Sequence, residues 1–145
     1  YLTLGDPMLY STYIYLIRAL KNRHPQIRVS TIPGITAFSA AAALTDFPIG
    51  EAKTPVIIVP TADDPADLEK ALESRATVIL MKVGNRLPQI LRILEAHQAM
   101  DRSVLVSRAG LPDQRIETDL RQLADDPKAG YLSIILVQSN GKEAF

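Results

Sequence analysis

The chain has 145 residues, with 16 basic and 16 acidic side chains, no cysteine, no tryptophan and 47% hydrophobic residues. Disulfides, thiolate catalysis and cysteine-ligated zinc are therefore excluded, and with only His24 and His97 a multi-histidine metal site is excluded as well. A net charge of zero offers no basic field to a nucleic-acid backbone, and no apolar run approaches the ~20 residues of a membrane span, so a soluble, cytoplasmic protein is expected.

Tyr1-Leu2-Thr3-Leu4 reads as a strand already under way, with no methionine or signal peptide before it. The expectation is the C-terminal part of a longer protein. Gly5-Asp6-Pro7 breaks the strand, and Leu9, Tyr13, Leu16, Ile17 and Leu20 follow with the spacing of one helical face. Lys21, Arg23, His24 and Pro25 end that helix, since cations suit its C-terminus and proline stops the backbone. Residues 27–32 are a second strand candidate. Pro33-Gly34 then turns the chain into an alanine-rich helix over about residues 36–44, and residues 51–54 look like a linker between two lobes.

The second lobe opens with Val56-Ile57-Ile58-Val59, an apolar run typical of a strand buried on both faces. Asp64 as N-cap and Pro65 at the first helical position start a helix. A strand at residues 77–81 follows, then a helix that Asn85 can cap, with Leu87, Ile90, Leu91 and Leu94 on one face. Strands at 103–106, 115–118 and 132–137 complete the pattern, with a brief helix at 119–124. Strands alternating with helices predict an α/β fold with a mixed or mostly parallel sheet. The lobes are expected at residues 1–52, the C-terminal part of a first α/β lobe, and 53–145, a second lobe.

Ligands of open α/β sheets bind at strand-to-helix turns, and three such turns stand out. In Leu4-Gly5-Asp6-Pro7-Met8-Leu9-Tyr10, glycine admits close backbone approach and Asp6 lies at a helix start, although a plain turn with an aspartate cap explains both. Pro33-Gly34-Ile35 delivers Thr36 and Ala37 to a helix N-terminus, where close packing is the simpler explanation. Ser107-Arg108-Ala109-Gly110-Leu111-Pro112-Asp113 is a small-residue loop leading to Arg115, and Lys82-Val83-Gly84-Asn85 has a similar form. His24 and His97 are read as solvated helix ends rather than ligands. No nucleophile–base pair, carboxylate dyad or metal-ligand spacing is visible, so no catalytic side chain is identified. Chemistry run here would depend on positioning a reactive cofactor.

In this order, the Gly-Asp-Pro-Met-Leu-Tyr-Ser-Thr-Tyr, Pro-Gly-Ile-Thr-Ala, Leu-Met-Lys-Val-Gly and Ser-Arg-Ala-Gly-Leu-Pro-Asp segments resemble the tetrapyrrole methyltransferases of corrin and sirohaem synthesis. The resemblance spans essentially the whole chain, and is strongest to the branch that methylates precorrin-2, or its cobalt form, at C(20). It implies a two-lobed α/β homodimer that binds S-adenosylmethionine between its lobes. Carried over by motif position, the cofactor contacts are Leu4, Gly5, Asp6, Leu9, Thr36, Ala37, Met81 with its neighbour Lys82, Ala109 and the backbone at Leu132. The family often has proline at this last position. Tyr10, Arg108 and Arg115 are implied for the substrate, with Lys82 a further cation for its carboxylates. The family's leading strand and Gly-Pro-Gly-Asp-Pro loop are absent, so the first lobe is expected to be incomplete and this piece inactive alone. Alternatives are methylation of uroporphyrinogen or another ring carbon, or a non-catalytic dimerisation and cofactor-binding module.

Overall fold

One mixed sheet organises the larger part of the chain in the computed structural model, which describes residues 1–60, 64–124, 126 and 128–139. Its strands are β1 (Val56–Val59), β2 (Thr77–Leu80), β3 (Ser103–Ser107), β4 (Arg115–Glu117) and β5 (Ser133–Val137), in the spatial order β1-β2-β5-β3-β4. Only β1 and β2 run parallel. The final strand inserts between β2 and β3 and is antiparallel to both, and β4 folds back on β3 as an antiparallel edge. The sheet is thus mixed but not mostly parallel: the β3–β4 connection and the insertion of β5 both reverse direction.

The pleat sends successive side chains to opposite faces, and both faces are covered. Val78, Leu80, Leu105, Ile135 and Val137 enter the larger core with Leu68, Ala71 and Leu72 of α3 (Pro65–Glu73) and Leu87, Ile90, Leu91 and Leu94 of α4 (Leu87–Ala96). Ile79, Val104, Val106, Ile134 and Leu136 pack on the other side with Ala41 of α2 (Ala37–Leu44), joined by Phe38, Phe47 and Ile49. The alanine run of α2 has its reason here: small side chains let this short helix lie close to the sheet. Asp64 caps α3 as its sequence predicts, accepting from the Ala66 N–H at 2.9 Å with Pro65 in the first turn.

Several expectations need correction. The run Val56–Val59 is not buried on both faces. It is an edge strand, Val56 is 40% exposed and only Val59 is buried, because β2 flanks it on one side alone. Asn85 does not cap α4: a 3₁₀ turn at Gly84–Arg86 draws it into helical backbone, and Arg86 takes the cap position without a side-chain capping bond to the helix.

The chain forms two compact units, residues 1–37 and 38–145. In the smaller, α1 (Tyr13–Arg23) begins later than the periodicity implies, and of its apolar stripe only Tyr13 is buried. The Tyr13 hydroxyl shares a 2.7 Å hydrogen bond with Thr31 Oγ1, and its ring stacks on Tyr1 at 5.6 Å. Leu16, Leu20 and Val29 line a groove of about 500 Å³ rather than a filled core. Residues 1–4 and 27–32, expected as strands, are extended segments without a ladder, and all of them are exposed. A strand is defined by the neighbour it bonds to. Among the described residues neither segment has one.

Candidate functional site

Two loops of the smaller unit are locked together by one carboxylate. Asp6 Oδ1 accepts from the Met8 N–H at 2.8 Å, closing its own turn, and Oδ2 accepts from the Gly34 N–H at 3.0 Å. Gly5 lies at φ +77°, beside Ile35 O and Ala37 N. At Gly34 the approach is closer still, since a Cβ built there would fall 2.3 Å from Gly5 O. Both glycines of these motifs therefore have a steric reason, and Asp6 has a reason that is neither acid nor base: its two oxygens hold the Gly-Asp-Pro and Pro-Gly turns against each other. The clamp places Gly5 near Ala37, the first residue of α2, whose side chain is exposed. Leu4 is exposed, Leu9 and Thr36 are half-buried, and Tyr10 stands 45% exposed at φ 51°.

The larger unit collects its candidates at one end of the sheet. Leu80 faces Ile135 and Ser107 faces Ser133, so the ends of β2 and β3 meet the start of β5. Met81, Lys82, Arg108, Ala109 and Leu132 lie on these ends. Met81 continues the ladder by donating its N–H to Val59 O at 2.9 Å and half-buries its side chain, whereas Lys82 turns out to solvent. Backbone bonds tie the loops: the Arg108 N–H donates to Leu132 O at 3.0 Å, and the Gly84 N–H to Gly130 O at 2.9 Å. A Cβ on Gly130 would lie 2.1 Å from Gly84 O, while at Gly84 and Gly110 nothing lies within 4 Å of that position.

The backbone itself marks these positions. Seven non-glycine residues among those described have positive φ, one of them Ala52 in the turn before β1, which no motif singles out. Asp46 and Gln98 are explained as helix C-caps, for the Phe47 N–H returns to Ala42 O and the Ala99 N–H to Leu94 O, as in a Schellman turn. Tyr10, Lys82, Arg108 and Leu132 cap no helix, and every one of them is a residue the motifs single out. Left-handed backbone costs an L-residue roughly 1–2 kcal/mol and persists where the surroundings impose it, often at binding loops.

The cations differ in availability. Arg115 is committed to two carboxylates, Asp126 at 2.6 Å and Glu117 at 3.2 Å, and these bonds, led by that to Glu117, raise its pKa above the ordinary arginine value. Arg115 is thus already paired twice, with part of its side chain still exposed. Arg108 pairs with Asp113 at 3.2 Å and lies over the Tyr131 ring at 5.8 Å. Lys82 is exposed and has no ion pair among the described residues. Sequence reading missed Tyr131 and Gly130, although an aromatic after glycine just before a strand is the signal that marks them. Among the described residues, no three histidine, aspartate or glutamate side chains converge as a metal site would require, and no helix is long and apolar enough to cross a membrane.

The arrangement holds rigid turns, small side chains and open backbone, as binding by positioning requires. The chain is 36% identical over 133 residues, 92% of its length, to precorrin-2 C(20)-methyltransferase of a Sinorhizobium species, covering 52% of that protein. It is 29% identical over 144 residues, 99% of its length, to cobalt-precorrin-2 C(20)-methyltransferase of Salmonella typhimurium, covering 60% of it. It thus spans between half and two thirds of the length of these two relatives. Among solved structures, the methyltransferase CobJ superposes with a TM-score of 0.67 at 24% identity, over 97% of this chain and 64% of that one. Uroporphyrin-III C-methyltransferase of Thermus thermophilus, complexed with S-adenosyl homocysteine, superposes at 0.63 and 19% identity, over 92% of this chain and 62% of that one; both likenesses concern the fold. Residues 1–124 match the family described as tetrapyrrole (corrin/porphyrin) methylases, and the chain belongs to that family.

Proposed function

We propose that this chain belongs to an S-adenosylmethionine-dependent C-methyltransferase that acts on C(20) of precorrin-2 or its cobalt form. The observation that carries the reading is a coincidence of motif and geometry: Tyr10, Lys82, Arg108 and Leu132, which the family resemblance singles out, hold left-handed backbone, and Asp6 clamps the Gly-Asp-Pro loop to the Pro-Gly turn. The names of the relatives support the substrate. Residues 1–52 and 53–145 are proposed as parts of the two lobes.

When bound, S-adenosylmethionine supplies a methyl group made electrophilic by its sulfonium. The protein's own task is then to bind, orient and exclude water. Gly5, Thr36 and Ala37 are proposed to approach the cofactor through backbone, with Leu4 and Leu9 as apolar contacts and Asp6 holding the loop. In the larger unit, Met81 and Ala109 are assigned the same role, with Leu132 contributing its backbone. The open space beside Gly84 and Gly110 fits such close approach. Lys82 and Arg108 are the cations for substrate carboxylates, with Tyr10 as a neighbouring contact, and no side chain is assigned as a base. The exposed Tyr1, Leu2, Leu4, Ile32 and Ile35 support a further proposal, that the protein works as a homodimer.

The test uses the full-length protein. Incubation with precorrin-2 and S-adenosylmethionine carrying a ¹³C-labelled methyl group should yield one labelled methyl at C(20) by NMR, whereas a methyl at another ring carbon would reject the assignment. Ala37→Phe should abolish cofactor binding in calorimetric titration without changing the circular dichroism spectrum. Unchanged affinity would remove Ala37 from the site.

A further inference from the structure

The other end of the β3–β5 pair, remote from Arg108 and Leu132, carries a second polar arrangement. Ser103 and Val137 are register partners there, and Arg102 and Gln138 adjoin them. The Gln138 N–H donates to Arg102 O at 2.9 Å, and Arg102 Nη1 donates to Gln138 O. These bonds satisfy the main chain and leave two side-chain donors over. Arg102 Nη2 and Gln138 Nε2 are buried and have no hydrogen-bond partner among the described residues, and Gln138 is only 4% exposed.

Both side chains line one pocket of about 180 Å³. Asp101 lines it too, but its carboxylate is largely exposed and pairs with Arg121 at 2.8 Å. No carboxylate among the described residues pairs with Arg102. Burial pushes its pKa down, as expected of a guanidinium without a counter-charge. Thr45 and Ser103 have spent their hydroxyls on the carbonyls of Ala41 and Ala99. Thr118 adds one more polar side chain to the lining, and the rest of the wall is apolar, formed by Phe47, Val104 and Ile116.

Orphaned buried donors are rare, and two opening onto one cavity call for an oxygen acceptor. The positive charge of one of them selects an anion, and the apolar wall selects an anion with a hydrocarbon body over a fully hydrated one. We propose that this pocket is a binding site for a short aliphatic monocarboxylate. Its oxygens accept from Arg102 Nη2 and Gln138 Nε2, and its carbon chain lies against Phe47, Val104 and Ile116.

Titration of the chain with butyrate, followed through the side-chain ¹⁵N signals of Arg102 and Gln138, tests this directly. Saturable shifts at both signals are expected, with butyramide producing none and inorganic phosphate binding more weakly than butyrate. Arg102→Met should weaken butyrate binding about tenfold or more, the loss of a charge-assisted hydrogen bond. Because Arg102 also supports the main chain, Ile116→Asp serves as a second variant: position 116 is 40% exposed, so the fold should survive while the added carboxylate repels the ligand. Non-saturating shifts, equal binding of butyramide, tighter binding of phosphate, or unchanged butyrate affinity in Ile116→Asp would each overturn the proposal.

Discussion

Arg108 donates its backbone N–H to the carbonyl oxygen of Leu132 at 3.0 Å, and both residues hold left-handed backbone, with φ of 49° and 50°. One lies just past the end of β3 and the other just before β5, so a single bond joins two strained turns at the same end of the sheet. The ladder beyond it, Ser107 opposite Ser133, fixes the spacing that makes the bond possible. Strain here is imposed by the sheet and not by the local sequence, since neither residue is a glycine or asparagine.

Leu132→Gly should therefore stabilise the protein. Relief of the left-handed penalty, less the greater unfolded-state entropy of glycine, gives about 0.5–1 kcal/mol. Leu132→Val should destabilise by about 1 kcal/mol or more, because a β-branched residue tolerates this backbone poorly. Leu132 is half exposed, so lost packing contributes little. Urea unfolding midpoints check the order; a glycine variant less stable than wild type would contradict it.

Gly34→Ala should pry apart the two loops that Asp6 holds. The new Cβ meets backbone oxygen at 2.3 Å, which cannot be relieved by a rotamer change. A cost of about 1–3 kcal/mol is expected, concentrated in this region. Amide exchange at Gly34, which Asp6 Oδ2 protects, should accelerate roughly 10- to 100-fold while exchange in β3 and β5 stays unchanged. Equal protection in the variant would mean that the loops are not held by this contact.

Asp126 gives the protein an acid-side sensitivity. Its pKa is held below the ordinary aspartate value by the backbone N–H of Lys128 first and then by Arg115. A carboxylate with a lowered folded-state pKa stabilises fully above its unfolded value and loses that contribution as pH falls through the folded one. The loss should thus begin as pH falls through the ordinary aspartate range, about pH 4, and continue below it. Unfolding midpoints of wild type and Asp126→Asn at about pH 6, where the Asp126 carboxylate is ionised, should differ in favour of wild type, and the difference should shrink on acidification. A gap that is constant with pH would show that the pair is not the cause.

Amide exchange across the chain should be uneven. Residues 21–35 are all exposed and residues 1–12 contain no helix or strand, whereas β2, β3 and β5 are buried along their whole length. Outside α1, residues 1–36 should exchange at least about a hundredfold faster than the central strands in the isolated chain. Uniform protection in a demonstrated monomer would show that the open groove beside α1 is closed in solution.

Much of the larger unit was legible in the amino-acid sequence because its cues are local. The i, i+3, i+4, i+7 spacing of Leu87, Ile90, Leu91 and Leu94 states which face of α4 is buried, and Asp64-Pro65 states where α3 begins. Four short motifs in order were enough to point to the family. Other features depend on partners distant in the chain. Nothing near residue 133 indicates that β5 enters between β2 and β3, and the extended look of residues 1–4 and 27–32 does not say whether a neighbour will pair with them. Asp6 reads as a helix cap or a base until Gly34, 28 positions away, is found on its second oxygen. Arg115 looks like an available cation until Asp126 and Glu117 close on it. Sequence periodicity reports which side of an element avoids water; tertiary packing alone decided that Arg108 and Leu132 join in left-handed backbone and that Asp6 bridges to Gly34, because those bonds link residues far apart in the chain.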